Sequence, residues 1–239
     1  MKTRTPPSWL ALVVLLGWCL AQPARGSTVI WGSSFNDLLY TSTGQTLDQS
    51  FIFEVGTFTG GFLPTIHNSD QWDANWKVMD RAVHPAAEGW NVAKQYFVGS
   101  FEHLPDGTSD SLAANPSDVF LMGETVYLWV YNSKAIVPGS EWALVTDSDL
   151  LGNLANAWRV PDPGDPVGTS YDWQLLDADT VILGGVNGIQ GAGDFSVPPG
   201  TFSLQTHVVP EPGSSLLVLL GFAGALFSRR SVFQESCIE

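Results

Sequence analysis

Apolar and polar positions alternate with a period of two in several short stretches, the pattern of strands that sort side chains onto two faces. The clearest is 124–131 (ETVYLWVY), with Val126, Leu128 and Val130 on one face and Tyr127, Trp129 and Tyr131 on the other. Segments 49–58 (QSFIFEVGTF) and 95–103 (QYFVGSFEH) share its β-branched and aromatic style. Further strands are predicted at 28–31, 141–146 (EWALVT), 171–176, 180–183 and 201–208 (TFSLQTHV). Turn chemistry separates them at Asn68-Ser69-Asp70, Pro105-Asp106-Gly107, Pro138-Gly139, 161–166, Gly184-Gly185 and Pro198-Pro199-Gly200. One stretch, 70–82 (DQWDANWKVMDRA), reads as one or two helical turns, because Trp72, Trp76 and Met79 recur at helical spacing behind a cap at Ser69 or Asp70. The glycine-rich segment 184–200 is expected to be mobile. The chain is therefore predicted to be mainly β, an antiparallel β-sandwich or jelly roll with one short helix.

The two ends break this pattern with unbroken apolar runs. Residues 1–26 have the build of a secretory signal peptide: basic Lys2 and Arg4, an apolar stretch at 10–16 (LALVVLL), and small residues at Ala24 and Gly26 that place cleavage before Ser27. At the other end the chain reads Val209, Pro210, Glu211, Pro212. An apolar run at 216–227 (LLVLLGFAGALF) and then Arg229 and Arg230 follow. The two prolines keep the first part extended, outside any helix. The run is a predicted transmembrane helix, and the arginine pair holds its end on the cytoplasmic side as a stop-transfer signal. Residues 231–239 form a short cytoplasmic tail.

This ordered triplet at 209–230 resembles the PEP-CTERM protein-sorting domain, the tail handled by exosortases in Gram-negative bacteria that make extracellular polysaccharide. The resemblance implies passage through the export machinery, a transient stay in the inner membrane, and processing by an exosortase-type enzyme near residues 209–212. It also implies a destination at the cell surface or in the polysaccharide matrix. The stretches GTFTGGFLPT, YLWVYN and DADTVILGG are similar in texture to an uncharacterised group of exported proteins bearing such tails, which implies no activity.

Composition then changes meaning. The chain of 239 residues carries 10 Lys and Arg against 24 Asp and Glu, net −14, which excludes nucleic acid as a partner because phosphate binding needs a basic face. Between the two ends, 27–208 form the β-sandwich module. That module keeps five basic residues and 21 acidic ones, a net charge of −16. Both cysteines, Cys19 and Cys237, lie in the ends, so thiol catalysis, cysteine-ligated zinc and disulfides drop out for the module.

The four histidines form no metal-binding pair, and the plentiful carboxylates single out no glycosidase pair, so the module is read as non-enzymatic. A secreted glycoside-active enzyme is the more distant alternative. Close-spaced carboxylates at Asp147 and Asp149, and at Asp177 and Asp179, are weak calcium candidates; as solvated turn acids they would instead cap backbone N–H groups. The module is rich in tryptophan, and an aromatic face stacks on a sugar ring. Trp129 and Trp142 sit in apolar strands and are expected to be buried. Trp72, Trp76 and Trp158 lie among polar residues and are the candidates for sugar stacking in a carbohydrate-binding module that holds extracellular polysaccharide.

Overall fold

The computed structural model describes residues 26–148, 157–166, 168–191 and 202–209. The predicted signal helix, the transmembrane helix and the cytoplasmic tail lie outside the described residues. Among those residues no helix is long and apolar enough to cross a membrane.

The described chain is mainly β. In order, it forms β1 (Ser27–Gly32), β2 (Leu39–Tyr40), β3 (Ile52–Phe58), α1 (Trp72–Asn75), β4 (Trp76–Ala82), β5 (Trp90–Asn91), β6 (Tyr96–His103) and β7 (Tyr127–Tyr131). Then come β8 (Glu141–Thr146), β9 (Ser170–Gln174), β10 (Thr180–Leu183), β11 (Gly185–Val186), β12 (Ile189–Gln190), β13 (Leu204–Gln205) and β14 (His207–Val208). A central sheet runs β10-β8-β7-β3-β4, with β14 also on β8; a second runs β5-β6-β1-β9 and a third β12-β11-β13-β2. Pairing is antiparallel except at β1 with β9 and β13 with β2, which are parallel.

The central strands are buried along almost their whole length because both faces of the sheet are covered. The alternation in β7 sorts as the sequence predicts. Leu128 and Val130 join Phe53, Val55, Ala143 and Val145 in one core, to which the second sheet contributes Val29, Trp31, Phe97, Phe101 and Trp173. Trp129 and Tyr131 turn the other way and join Trp142, Leu144, Trp72, Trp76 and Phe58 in an aromatic core. Its rings meet at close range, Trp129 to Trp142 edge-to-face at 5.0 Å and Trp72 to Trp142 stacked at 5.5 Å.

The predicted helix at 70–82 is corrected by the structure: only Trp72–Asn75 is helical, after a 3-10 turn at Ile66–Gln71, and Trp76 opens β4. The turn starts at Thr65, whose N–H donates to Asn68 Oδ1 at 2.7 Å, not at Ser69 or Asp70. The three-residue spacing of Trp76 and Met79 that imitates a helix belongs to a strand, where positions an odd number apart face opposite ways, and a β-bulge follows at Met79. Val55 faces Asp80 while Gly56 faces Val78, so Met79 has no partner and the alternation changes phase. Trp76 and Met79 enter different cores by ordinary alternation, and the phase change brings Ala82 to the Met79 side.

Within the glycine-rich segment 184–200, β11 and β12 form a hairpin closed by Asn187 and Gly188, with φ of 48° and 81°. Positive φ at both loop residues is the geometry that an Asn-Gly pair favours between two strands.

Candidate functional site

The phase change in β4 turns Asp80 toward the second sheet. Its Oδ2 accepts from Trp31 Nε1 at 2.7 Å and its Oδ1 from Ser111 Oγ at 2.6 Å, in a site that leaves the residue 7% exposed. Burial pushes this carboxyl above the usual aspartate range, and the bonds from Ser111 and Trp31 offset part of the shift. Gly99 of β6 makes the contact possible. A Cβ there would stand 2.3 Å from Trp31 Nε1 and 2.5 Å from Asp80 Oδ2.

Outside this contact lies a cleft of about 530 Å³, lined by Ile30, Asp80, Arg81, Glu88, Val98 and Ser100 among others. It is large enough for a small polar ligand. Two of its charged groups are committed to the protein: both Asp80 oxygens accept hydrogen bonds, and Arg81 donates Nε to Glu54 Oε1 at 2.7 Å and brings Nη2 within 2.6 Å of it, whereas Glu88 is exposed at the rim. General acid–base work needs a carboxyl oxygen facing the substrate, and Asp80 has already placed both of its oxygens on protein donors.

Behind the cleft, on the aromatic side of the central sheet, Glu54 is the centre of an ion network. It is wholly buried in β3, opposite Arg81 of β4 and Trp129 of β7. Glu54 Oε2 accepts from Trp76 Nε1 at 2.9 Å and meets Lys134 Nζ at 3.0 Å. Lys134 also reaches Asp73 Oδ1 at 3.2 Å and sits 5.0 Å above the Trp129 ring and 5.4 Å above Tyr131. Burial, then the Glu54 charge, pushes the Tyr131 phenol far above its usual range. This is an aromatic cage already filled by a cation of the protein itself.

The tryptophans chosen for sugar stacking are corrected by the structure. Trp72 is 0% exposed, Trp158 2% and Trp76 8%. Their polar sequence neighbours misled because Trp72–Asn75 is a single turn that faces Asp73 outward and Trp72 inward. Trp158 is enclosed by backbone pairing on both sides: its N–H donates to Asp147 O and its carbonyl accepts from Val126 N–H. Trp129 and Trp142 are buried, as expected. An exposed aromatic ring is found instead at Phe35, which meets the half-buried Tyr96; its signal in the sequence is one phenylalanine inside the polar run 33–37 (SSFND).

The described calcium candidates, Asp147, Asp177 and Asp179, do not form a group of metal ligands. Asp179 is buried, and its Oδ1 accepts from the Ser148 N–H at 2.8 Å, Ser148 Oγ and Thr180 Oγ1. Asp147 is buried beside the β8 terminus, Asp177 lies in a 3-10 turn at Leu175–Asp177, and Asp149 lies outside the described residues. Among the described residues no three His, Cys, Asp or Glu side chains are grouped to hold a metal ion. Of the sorting residues, Val209 is described. It is 2% exposed in the aromatic core, and its N–H donates to Ser140 O at 2.9 Å. Pro210, Glu211, Pro212, Arg229 and Arg230 lie outside the described residues.

No known protein family, curated protein or solved structure matches this chain.

Proposed function

We propose that this chain is an exported, non-catalytic protein of the cell surface or extracellular matrix, delivered by a PEP-CTERM-type tail that an exosortase-like enzyme processes. One observation carries the reading: the sequence Val209-Pro210-Glu211-Pro212, the apolar run at 216–227 and the pair Arg229 and Arg230 follow one another in that order, behind a leader of signal-peptide build. Val209 itself is held in the aromatic core, so the task of meeting a processing enzyme falls to Pro210, Glu211 and Pro212, retention in the bilayer to the apolar run and arrest of translocation to the arginine pair. In keeping with it, β1 opens at Ser27 and β14 closes at Val208.

The module between them is read as a jelly-roll-like β-sandwich. The central sheet and the β5-β6-β1-β9 sheet share one core, which supports two packed layers. The buried carboxylates Glu54 and Asp80 are engaged by Arg81, Trp31 and Ser111 of the protein itself, which favours a structural or binding role over catalysis at that place.

The intact mass of the protein recovered from the cell surface tests the proposal. It should correspond to a chain lacking 1–26 and the residues after the sorting motif, and deletion of the processing enzyme should leave a membrane-bound precursor. A surface-exposed product that keeps its C-terminus overturns the sorting reading.

A further inference from the structure

The loop between β1 and β2 presents Phe35 to solvent at 66% exposure. Its ring lies 4.4 Å from that of Tyr96 at 67°, so the two form a corner, and Lys94 Nζ stands 5.8 Å from the Phe35 centroid. An exposed phenylalanine forgoes the stabilisation that burial would bring. Here it is nevertheless held firmly. Ser33 N–H donates to Phe97 O and Asn36 N–H to Lys94 O, each at 2.9 Å. Asp37 accepts from Ser34 N–H at 3.0 Å and from Ser203 Oγ at 3.2 Å.

Backbone strain is concentrated at the same place. Of the three described non-glycine residues with positive φ, two adjoin the ring pair: Asn36 at 58° next to Phe35, and Gln95 at 46° next to Tyr96. Such conformations persist only where surrounding bonds enforce them, and they collect at binding sites. Gln95 is so enforced, its Nε2 donating to Val92 O at 2.7 Å and Leu47 O at 3.0 Å. The result is a pre-ordered aromatic corner that loses little freedom when a ligand arrives.

We infer that Phe35, Tyr96 and Lys94 form an open surface subsite for a neutral pyranose glycan. An aromatic face accepts the C–H face of a sugar ring. The Tyr96 hydroxyl and the Lys94 ammonium make no hydrogen bond or ion pair with another described residue, so both remain available to sugar hydroxyls. The net charge of −14 repels uronate and sulfated chains and leaves neutral glycans as the compatible class. A corner without walls suits one face of a polymer better than an enclosed small molecule. The inference is independent of the sorting proposal, since it rests on residues far from the tail in sequence.

Saturation-transfer NMR on the full chain, with gluco-, manno-, galacto- and xylo-oligosaccharides beside oligogalacturonate, tests the subsite. At least one neutral series should bind, with contacts from its C–H face. Phe35→Ala should weaken that binding about tenfold, as expected for loss of a central aromatic anchor, while Phe35→Tyr retains it. Lys94→Met should weaken it about threefold, the loss of one hydrogen-bond donor to a neutral ligand. Phe35 is solvent-facing, so the melting temperature of Phe35→Ala should stay that of the parent. No binding to any neutral series, preference for oligogalacturonate, or full binding by a folded Phe35→Ala protein each overturns the assignment.

Discussion

Replacing Arg81 and Lys134 together should cost more stability than the two single replacements added. Both cations address one carboxylate, Glu54, which has no exposure to water. In Arg81→Met, Glu54 keeps Lys134 at 3.0 Å and the Trp76 N–H at 2.9 Å. In Lys134→Met it keeps the two-nitrogen contact with Arg81. A hydrogen bond to a charged group contributes about 1.5–3 kcal/mol. The side chains of Arg81 and Lys134 are 38% and 23% exposed, so solvent screening lowers each single cost to about 1–2 kcal/mol. Methionine keeps the apolar stem of either side chain in place. The double variant leaves a buried carboxylate with neutral donors, and an uncompensated buried charge costs about 3–5 kcal/mol beyond lost packing. The double loss should therefore reach about 5 kcal/mol, exceeding the sum of the singles by on the order of 1–2 kcal/mol. Urea unfolding at pH 7, followed by the emission of the clustered tryptophans, measures all three. Adding Glu54→Leu to the double variant should recover much of the loss, because no charge then needs a partner. Additive singles, or no recovery on removing Glu54, refute the reasoning.

Three more outcomes follow from burial and close contact. Burial holds the His103 imidazole below the usual histidine range, against partial compensation from the Phe120 and Gly107 backbone and from Asp106 and Asp165, and neither ring nitrogen meets a partner at bonding geometry. The unfolded chain then takes up the proton first, so stability falls as pH drops below about 6.5. Asp80, whose raised carboxyl pKa acts in the opposite sense at lower pH, makes His103→Phe the needed control: its urea midpoint should lose less between pH 7.5 and 5.5 than that of the parent. An equal loss would remove His103 from the account. Gly99→Ala should break the Trp31–Asp80 bond, since the new Cβ falls 2.3 Å from the indole nitrogen; a loss of about 2–4 kcal/mol in thermal or urea unfolding is expected, and a neutral result contradicts the close approach. Trp72→Ala should cost about 3–5 kcal/mol as a core truncation, and the milder Trp72→Phe should leave glycan binding unchanged; loss of binding in a folded Trp72→Phe protein would restore the tryptophans as ligands.

Much of the strand content is legible locally. The stretch 141–146 is β8 to the residue, 180–183 is β10, and the two faces of β7 separate into two cores as the alternation foretells. These succeed because period-two patterning is a local property that packing on both sides only reinforces. The failure at 70–82 has an equally local look and a nonlocal cause. The helical turn stops at Asn75 and Trp76–Ala82 is a strand because β3 pairs with it, and that partner strand is not visible in the segment itself. Val186-Asn187-Gly188-Ile189 was readable as a hairpin turn and was obscured by the glycines around it.

By itself, the sequence determines the β class, the net negative charge, and the pattern of leader and tail on which the sorting proposal stands. These depend on composition and order along the chain, which folding does not alter. Tertiary structure alone decides which aromatics face water. Trp72, Trp76 and Trp158 have polar neighbours yet lie inside, while Phe35 lies outside. A single helical turn or a bulge reverses the direction of a side chain without changing its neighbours in sequence, so exposure belongs to the packed sheets and not to the residue.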